Sequence, residues 1–350
     1  MNLYNIEIFT QEFAYRSGMQ VSEIEYEFDY LALSKKKIKL QGVKAERGDF
    51  IRISKGSQRF CGIVDGVSDS DTKRVIEYKP ILSLFDVNVY ADLEVLKKES
   101  TSVEQWIADI ITEIYVSSDD KLQNIAGLSV SAESSTIGIK TLGLTESISN
   151  LYEIMVNALL YHDIVVDADV DVQRKTISIS LCKRAGVRYI EADLPNVIEK
   201  EVSIKKNEEA LNKLIVVNEE NPSERLSYYL AVNGTIGNDI EEAQRITPVV
   251  FETKLVTVGD DEVFEDVALL EAVETLTPEK YDNLIEITLL ADDELVKPLE
   301  WSIGQETVVL HKKKEYQTIL TGMEIRKGTV KLVYGAVRRE LTKKLKRRKK

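Results

Sequence analysis

Hydrophobic and polar positions alternate with a period of two through much of the stretch 1–80. Short runs such as Tyr26-Glu27-Phe28-Asp29-Tyr30 and Ile51-Arg52-Ile53 carry the pattern. This alternation sets one face of an extended chain against a core and the other in water, so it predicts half-buried β-strands. Clusters of Gly, Ser and Asp separate the runs, and Pro80 closes the block.

After Pro80 the period changes. Thr101-Ser102-Val103-Glu104 reads as a capping box, in which the Thr hydroxyl and the Glu carboxylate satisfy free amides at a helix start. The helix it opens gathers Val103, Trp106, Ile107, Ile110, Ile111 and Ile114 on one face. A polar loop follows from Ser117 to about Ile139, and a second helix places Ile148, Leu151, Tyr152, Met155, Ala158 and Leu159 together. Ile164-Val165-Val166 and Thr176-Ile177-Ser178-Ile179-Ser180-Leu181 then alternate on either side of a polar turn. Beyond residue 190 the β character returns. Asn212 to Val217 and Tyr228 to Val232 read as strands around an Asn221-Pro222-Ser223-Glu224 turn, Asp261 to Leu276 as a helix, and Asn283 to Leu290 as a further strand. The organisation expected is a first β-unit over 1–80, an α+β insertion over 81–190, a second β-unit over 191–335 with a helix near 261–276, and a basic tail over 336–350.

One spacing occurs twice, once near each end of the chain. Gly48 matches Gly304, Phe60 matches Tyr316, Ile63 and Val64 match Ile319 and Leu320, and Gly66 matches Gly322. Each copy reads as an extended run, a polar turn and a second extended run, the signature of a hairpin. A repeat of such long period implies a duplicated building block. The alternative is a chance likeness between two ordinary hairpins.

Composition narrows the picture. The 350 residues allow two or three domains, and the 30% charged and 43% apolar content is that of an ordinary soluble chain. No apolar run approaches the roughly 18 residues that span a bilayer, and the start, Met1-Asn2-Leu3-Tyr4-Asn5, does not read as a signal peptide. Synthesis in a reducing cytoplasm is expected, with Cys61 and Cys182 as small core residues rather than a disulfide. Seven of the 46 basic residues fall in the last ten positions, so positions 1–340 carry −20 against −13 for the whole chain. An acidic body does not suit phosphate binding, although it suits a wall past which DNA slides. Solubility alone explains the same charge.

Candidate chemistry is sparse. Of the two histidines, His162 sits beside Asp163 after the second helix and His311 begins the turn of the second hairpin copy. Neither belongs to a zinc motif, two cysteines cannot build a zinc knuckle, and no Gly-rich phosphate loop or G-x-S-x-G elbow occurs. The acidic pairs Asp119-Asp120, Glu219-Glu220, Asp260-Asp261 and Asp292-Asp293 are expected in a chain with 59 acids. Lys35-Lys36-Lys37 and Lys312-Lys313-Lys314 read as solvated guards of strand edges and turns. No catalytic, cofactor-binding or metal-binding residue is assigned, no cofactor is expected, and the chain reads as a non-enzyme.

In their order and spacing these features resemble the bacteriophage tail-tip and baseplate hub family, including tail-associated proteins of Gram-positive siphophages and prophages. The resemblance rests on four stretches. They are Gly48-Asp49-x-Ile51-Arg52-Ile53 leading to Arg59-Phe60-x-Gly62-Ile63-Val64, the helix at Trp106-Ile107-Ala108-Asp109-Ile110, Ile303-Gly304 with Tyr316-x-x-x-Leu320, and Tyr334-Gly335-Ala336-Val337-Arg338. It implies an α+β fold with two related β-barrel-like units and an inserted α+β domain. It also implies a homotrimer whose six units form a pseudo-sixfold ring, placed in the virion between the tail tube and the distal tip. The implied partners are a second and third copy, distal tail or tube proteins, the tape measure protein, and DNA only in transit. Some relatives carry a cell-wall endopeptidase or lysozyme domain after the hub. A tail-tip hydrolase and a host-surface binding module are therefore the alternatives. The basic end at 341–350 departs from a bare hub.

Overall fold

The computed structural model describes the chain except for residues 1–2, 23, 25, 30–34, 57, 71–72, 97–100, 140–141, 143, 145–146, 205–210, 232–234, 239–249, 260–262, 278–279, 282, 327 and 336–350. The basic tail and the Asp260-Asp261 pair thus lie outside the described residues. Seven strands come first: β1 (Tyr4–Phe9), β2 (Tyr15–Val21), β3 (Tyr26–Asp29), β4 (Lys36–Leu40), β5 (Phe50–Lys55), β6 (Gln58–Ser70) and β7 (Lys73–Pro80). Six of them form an antiparallel sheet in the order β2-β1-β5-β6-β7-β4. Alternation decides which side is buried: Ile6, Ile8, Ile51, Ile53 and Ile76 are all at most 1% exposed.

β3 leaves this sheet. It pairs antiparallel with a strand near the other end of the chain, described below.

The insertion begins with β8 (Asn88–Tyr90), α1 (Leu93–Leu96), α2 (Val103–Tyr115) and β9 (Leu128–Ala132). It continues with β10 (Ile148–Asn150), α3 (Leu151–His162), β11 (Ile164–Asp171) and β12 (Thr176–Lys183). β11, β12 and β9 make a three-stranded sheet, with β9 parallel to β12, and β10 pairs β8. The expected apolar face of α2 is buried at Val103, Trp106, Ile107, Ile110 and Ile111.

Its cap differs from the expectation by one residue. Ser102, not Thr101, is the N-cap and accepts from the Gln105 amide at 3.2 Å. Glu104 does not reach back to close a capping box. It turns into the core, where it accepts from the Ser135 amide at 2.9 Å and from the hydroxyls of Ser135 and Thr136. Burial drives its carboxyl upward, yet those hydrogen bonds to the charged form outweigh it and hold the group below the usual range. Ile148, assigned to the helix face by its spacing, instead pairs with Tyr90 in the β10–β8 ribbon and is exposed.

The remaining strands are β13 (Val187–Glu191), β14 (Glu199–Ile204), β15 (Lys213–Asn218), β16 (Arg225–Leu230), β17 (Ile236–Gly237) and β18 (Phe251–Val256). After α4 (Phe264–Leu276) come β19 (Asn283–Leu290), β20 (Glu306–His311), β21 (Lys314–Arg326) and β22 (Thr329–Gly335). The second large sheet runs β13-β20-β21-β22-β19-β14, and β3 adds to β21 as its seventh strand. The four strands between β14 and β19 do not join it. They form a separate sheet, β17-β16-β15-β18, with α4 packed on one face. Leu214, Val216, Tyr228, Leu230, Phe264, Ala268 and Leu276 make a core of their own there. One continuous core serves the two large sheets and the insertion. The fold is α+β, with two related, curled β-units and an α+β insertion between them.

Candidate functional site

The two β-units match strand for strand where the sequence repeat falls. β5, β6 and β7 start at Phe50, Gln58 and Lys73, and β20, β21 and β22 start at Glu306, Lys314 and Thr329. All three starts are offset by the interval that separates Gly48 from Gly304. Both long middle strands are 13 residues, and both slip register at one place, between Val64 and Gly66 in β6 and between Leu320 and Gly322 in β21. Such a bulge sharpens the local twist and bends the strand, so its first half serves one neighbour and its second half another.

The turn before each hairpin is built the same way. Gly48 and Gly304 have φ of +91° and +80°, the left-handed region that favours glycine. The Gly48 amide donates to the Val64 carbonyl at 2.8 Å and the Gly304 amide to the Leu320 carbonyl at 2.7 Å. In return Val64 donates to Asp49 and Leu320 to Gln305, at 2.8 and 3.0 Å. Duplication, rather than chance likeness, accounts for this shared hydrogen-bond pattern.

β3 ties the units together. Tyr26 to Asp29 lie antiparallel to Ile325 to Gly322, on the side of β21 that β20 has left. A polar cluster fastens the insertion to the second unit. Asp163, at the left-handed C-cap of α3, is 1% exposed. It accepts from the Tyr281 hydroxyl at 2.5 Å, from Lys183 at 3.1 Å and from Lys280. Lys183 also bridges to Glu306 of β20 at 3.0 Å. Burial pushes the Asp163 carboxyl upward, but Lys280 and Tyr281 outweigh it and hold it below the usual range. The same burial and the adjacent carboxylate drive the Tyr281 phenol far above its ordinary value. Arg184 links the insertion to the same unit, pairing with Asp167 and donating to the Ile303 carbonyl at 3.3 Å.

The residues weighed for chemistry make the following contacts where they are described. His311 is buried at the end of β20, with Nδ1 3.0 Å from Asp193 Oδ1. Asp193 also accepts from Lys200 and from the Lys312 amide at 2.6 Å, and these, Lys200 foremost, hold its carboxyl well below the usual range. His162 ends α3, its ring 6.4 Å from that of Tyr161. Burial pushes the Cys61 thiol up to about 12, as expected of a core cysteine. Cys182 is free and half-buried in β12.

The acidic pairs shape turns. Asp120 accepts from the Leu122 amide at 3.0 Å, and Asp293 from those of Val296 and Leu295 at 2.7 and 3.1 Å. Glu219 accepts from the Thr257 hydroxyl at 3.0 Å. Lys35 pairs with Asp65 just before the sheet-edge strand β4, and Lys37 within that strand pairs with Glu77. Lys312 and Lys313, with φ of +49° and +63°, are the two central residues of the β20–β21 turn. Sequence reasoning missed Lys183, Lys280 and Tyr281 as partners of Asp163, and Glu306 as the second carboxylate on the two lysines. No local spacing joins residues so far apart in the chain.

Two solved structures share the fold. One belongs to the p2 virion baseplate in its activated conformation, with a TM-score of 0.51 and 10% identity over 96% of this chain and 100% of that one. The other is the 43 kDa tail protein of prophage MuSo2 from Shewanella oneidensis, with a TM-score of 0.51 and 12% identity over 96% and 97%. No family model and no curated relative matches the chain by sequence. This chain has the fold of phage baseplate and tail proteins along nearly its whole length. Among the described residues no helix is long and apolar enough to cross a membrane.

Proposed function

We propose that this chain is a structural hub of a phage or prophage tail tip. Three copies, each with two related β-units, close a pseudo-sixfold ring that joins the tail tube to the distal tip. The ring gates passage of the tape measure protein and then of DNA, and its acidic surface limits sticking to phosphate. Residues 1–80 and 191–335 are the ring-forming units, 81–190 is the insertion between them, and 336–350 is a basic tail. The copies are made in the host cytoplasm and assembled into the virion tail tip, with distal tail or tube proteins as neighbours. The role is architectural rather than enzymatic.

One observation carries this reading. A three-stranded unit with the same bulge and the same glycine turn occurs twice in one chain, once after Gly48 and once after Gly304. A trimer of such a chain offers six like surfaces, which reconciles sixfold and threefold neighbours by geometry. The test is particle mass by light scattering after size separation, up to high protein concentration. The expected value is three times the 39.6 kDa chain mass. A monomer or dimer throughout would contradict the reading.

A further inference from the structure

The two β-units differ at one equivalent place. Beyond its bulge, β21 presents Gly322 to Ile325 to β3, which pairs with all four residues. The equivalent positions of β6, aligned by Gly66 on Gly322, are Gly66, Val67, Ser68 and Asp69. They pair with β7 on one side. On the other side β5 ends its pairing at Ile63, and among the described residues no strand follows it. Burial records the difference. Met323, Glu324 and Ile325 are 3%, 8% and 1% exposed, whereas Ser68 and Asp69 are exposed and Val67 is half-buried.

Among the described residues, hydrogen-bonding capacity is left open there. Ser70 and Lys73 are the closing pair of the β6–β7 hairpin, so those two exchange hydrogen bonds and the direction alternates back along β6. By that alternation Ser68 faces β7, while Val67 and Asp69 direct their amides and carbonyls to the open side. Their equivalents Met323 and Ile325 direct theirs to β3. An open row of this kind is a template for a strand from another chain.

We propose that the β6 edge at Gly66–Asp69 accepts an antiparallel strand from a second copy of this chain. The inference rests on the ring reading above and names the surface by which neighbouring copies join. The argument for a second copy, rather than a foreign strand, is the repeat itself. The chain already fills one copy of this edge with a strand of its own. In unit 2 the interval that would hold the counterpart of β3, between β14 and β19, is occupied by the small four-stranded sheet and α4. In the ring reading the first unit of each chain neighbours the second unit of the next, so the open edge of β6 faces a second copy where β21 faces the first unit of its own chain.

Val67→Pro and Asp69→Pro, made separately, each remove an outward amide and leave the β6–β7 hydrogen bonds in place. Self-association is followed by sedimentation over a wide concentration range, and folding by far-ultraviolet circular dichroism. The expected result is a wild-type trimer, with native-like variants that associate at least tenfold more weakly. Amide exchange of the unsubstituted chain reads the same edge without any change of sequence. Val67 and Asp69 should be protected in the trimer and exchange fast in the dilute monomer. A wild-type trimer with those amides unprotected, or variants that trimerise as well as wild type, would overturn the edge proposal and leave the ring reading standing. A wild-type monomer at every concentration would overturn both.

Discussion

A single hydroxyl shows what burial costs in this molecule. Tyr334 is 0% exposed and packs edge-on against Trp301, with ring centroids 5.9 Å apart. Among the described residues its hydroxyl has no hydrogen-bond partner, and burial drives the phenol well above its ordinary pKa. An orphaned buried polar group costs about 1–3 kcal/mol. Tyr334→Phe, which keeps the ring and removes the orphan, is therefore predicted to gain about 1 kcal/mol in urea unfolding. A loss of stability would show that the hydroxyl has a partner after all.

Asp163 is the opposite case, a buried carboxylate that is fully engaged. Its folded pKa lies below the unfolded value, so its stabilisation is present above the unfolded pKa and lost as pH falls through the folded one. Asp163→Asn keeps a residue tolerant of the left-handed cap and removes the charge. It should cost about 1–3 kcal/mol near neutral pH, with the gap to wild type narrowing below about pH 4. Unfolding curves at stepped pH read this directly, and a gap that stayed constant down to about pH 2 would count against the ionic account.

At the scale of elements, the hairpins were the most legible part of the sequence because their determinants are local. Gly48 and Gly304 mark turns that require positive φ, and alternation marks the strands that follow. The two glycines should not be equally replaceable. A Cβ on Gly48 would meet the end of the Gln11 side chain, which can swing away. A Cβ on Gly304 would sit 1.9 Å from a methyl of Val165, itself 0% exposed and part of the insertion's β11. Gly48→Ala should cost about 1–2 kcal/mol for its backbone alone. Gly304→Ala should cost clearly more, since a packed neighbour must also move. Equal losses in denaturant unfolding would contradict this placement.

Other elements were legible only in part. Thr101 and Ser102 are both good caps, so the pattern alone could not say which one starts α2. Strand character at 213–218 and 225–230 was visible in whole or in part, whereas the strand at 251–256 was not read from the pattern. Which sheet those strands would join was not visible, because sheet membership depends on partners far away in sequence. The crossing of β3 is the clearest example. Tyr26 to Asp29 read correctly as a strand, yet the strand they pair with lies near the far end of the chain.

At the scale of the whole molecule, the first and last parts of the chain share one core and one sheet through β3. The two β-units are thus held as a pair within one chain, which a ring of alternating units requires. The small sheet with α4 has its own core and stands apart from that common body. The Asp163 cluster and the contact of Gly304 with Val165 fix the insertion against the second unit. The presence of two like units was therefore readable from the repeat, while the means of joining the parts was not.

The most direct test of the central claim is an averaged image of the purified particle viewed down its axis. The account predicts a closed ring with threefold symmetry, six similar lobes around a central opening, and a smaller appendage at alternate lobes. A particle with a single lobe, a twofold axis or no opening would contradict it.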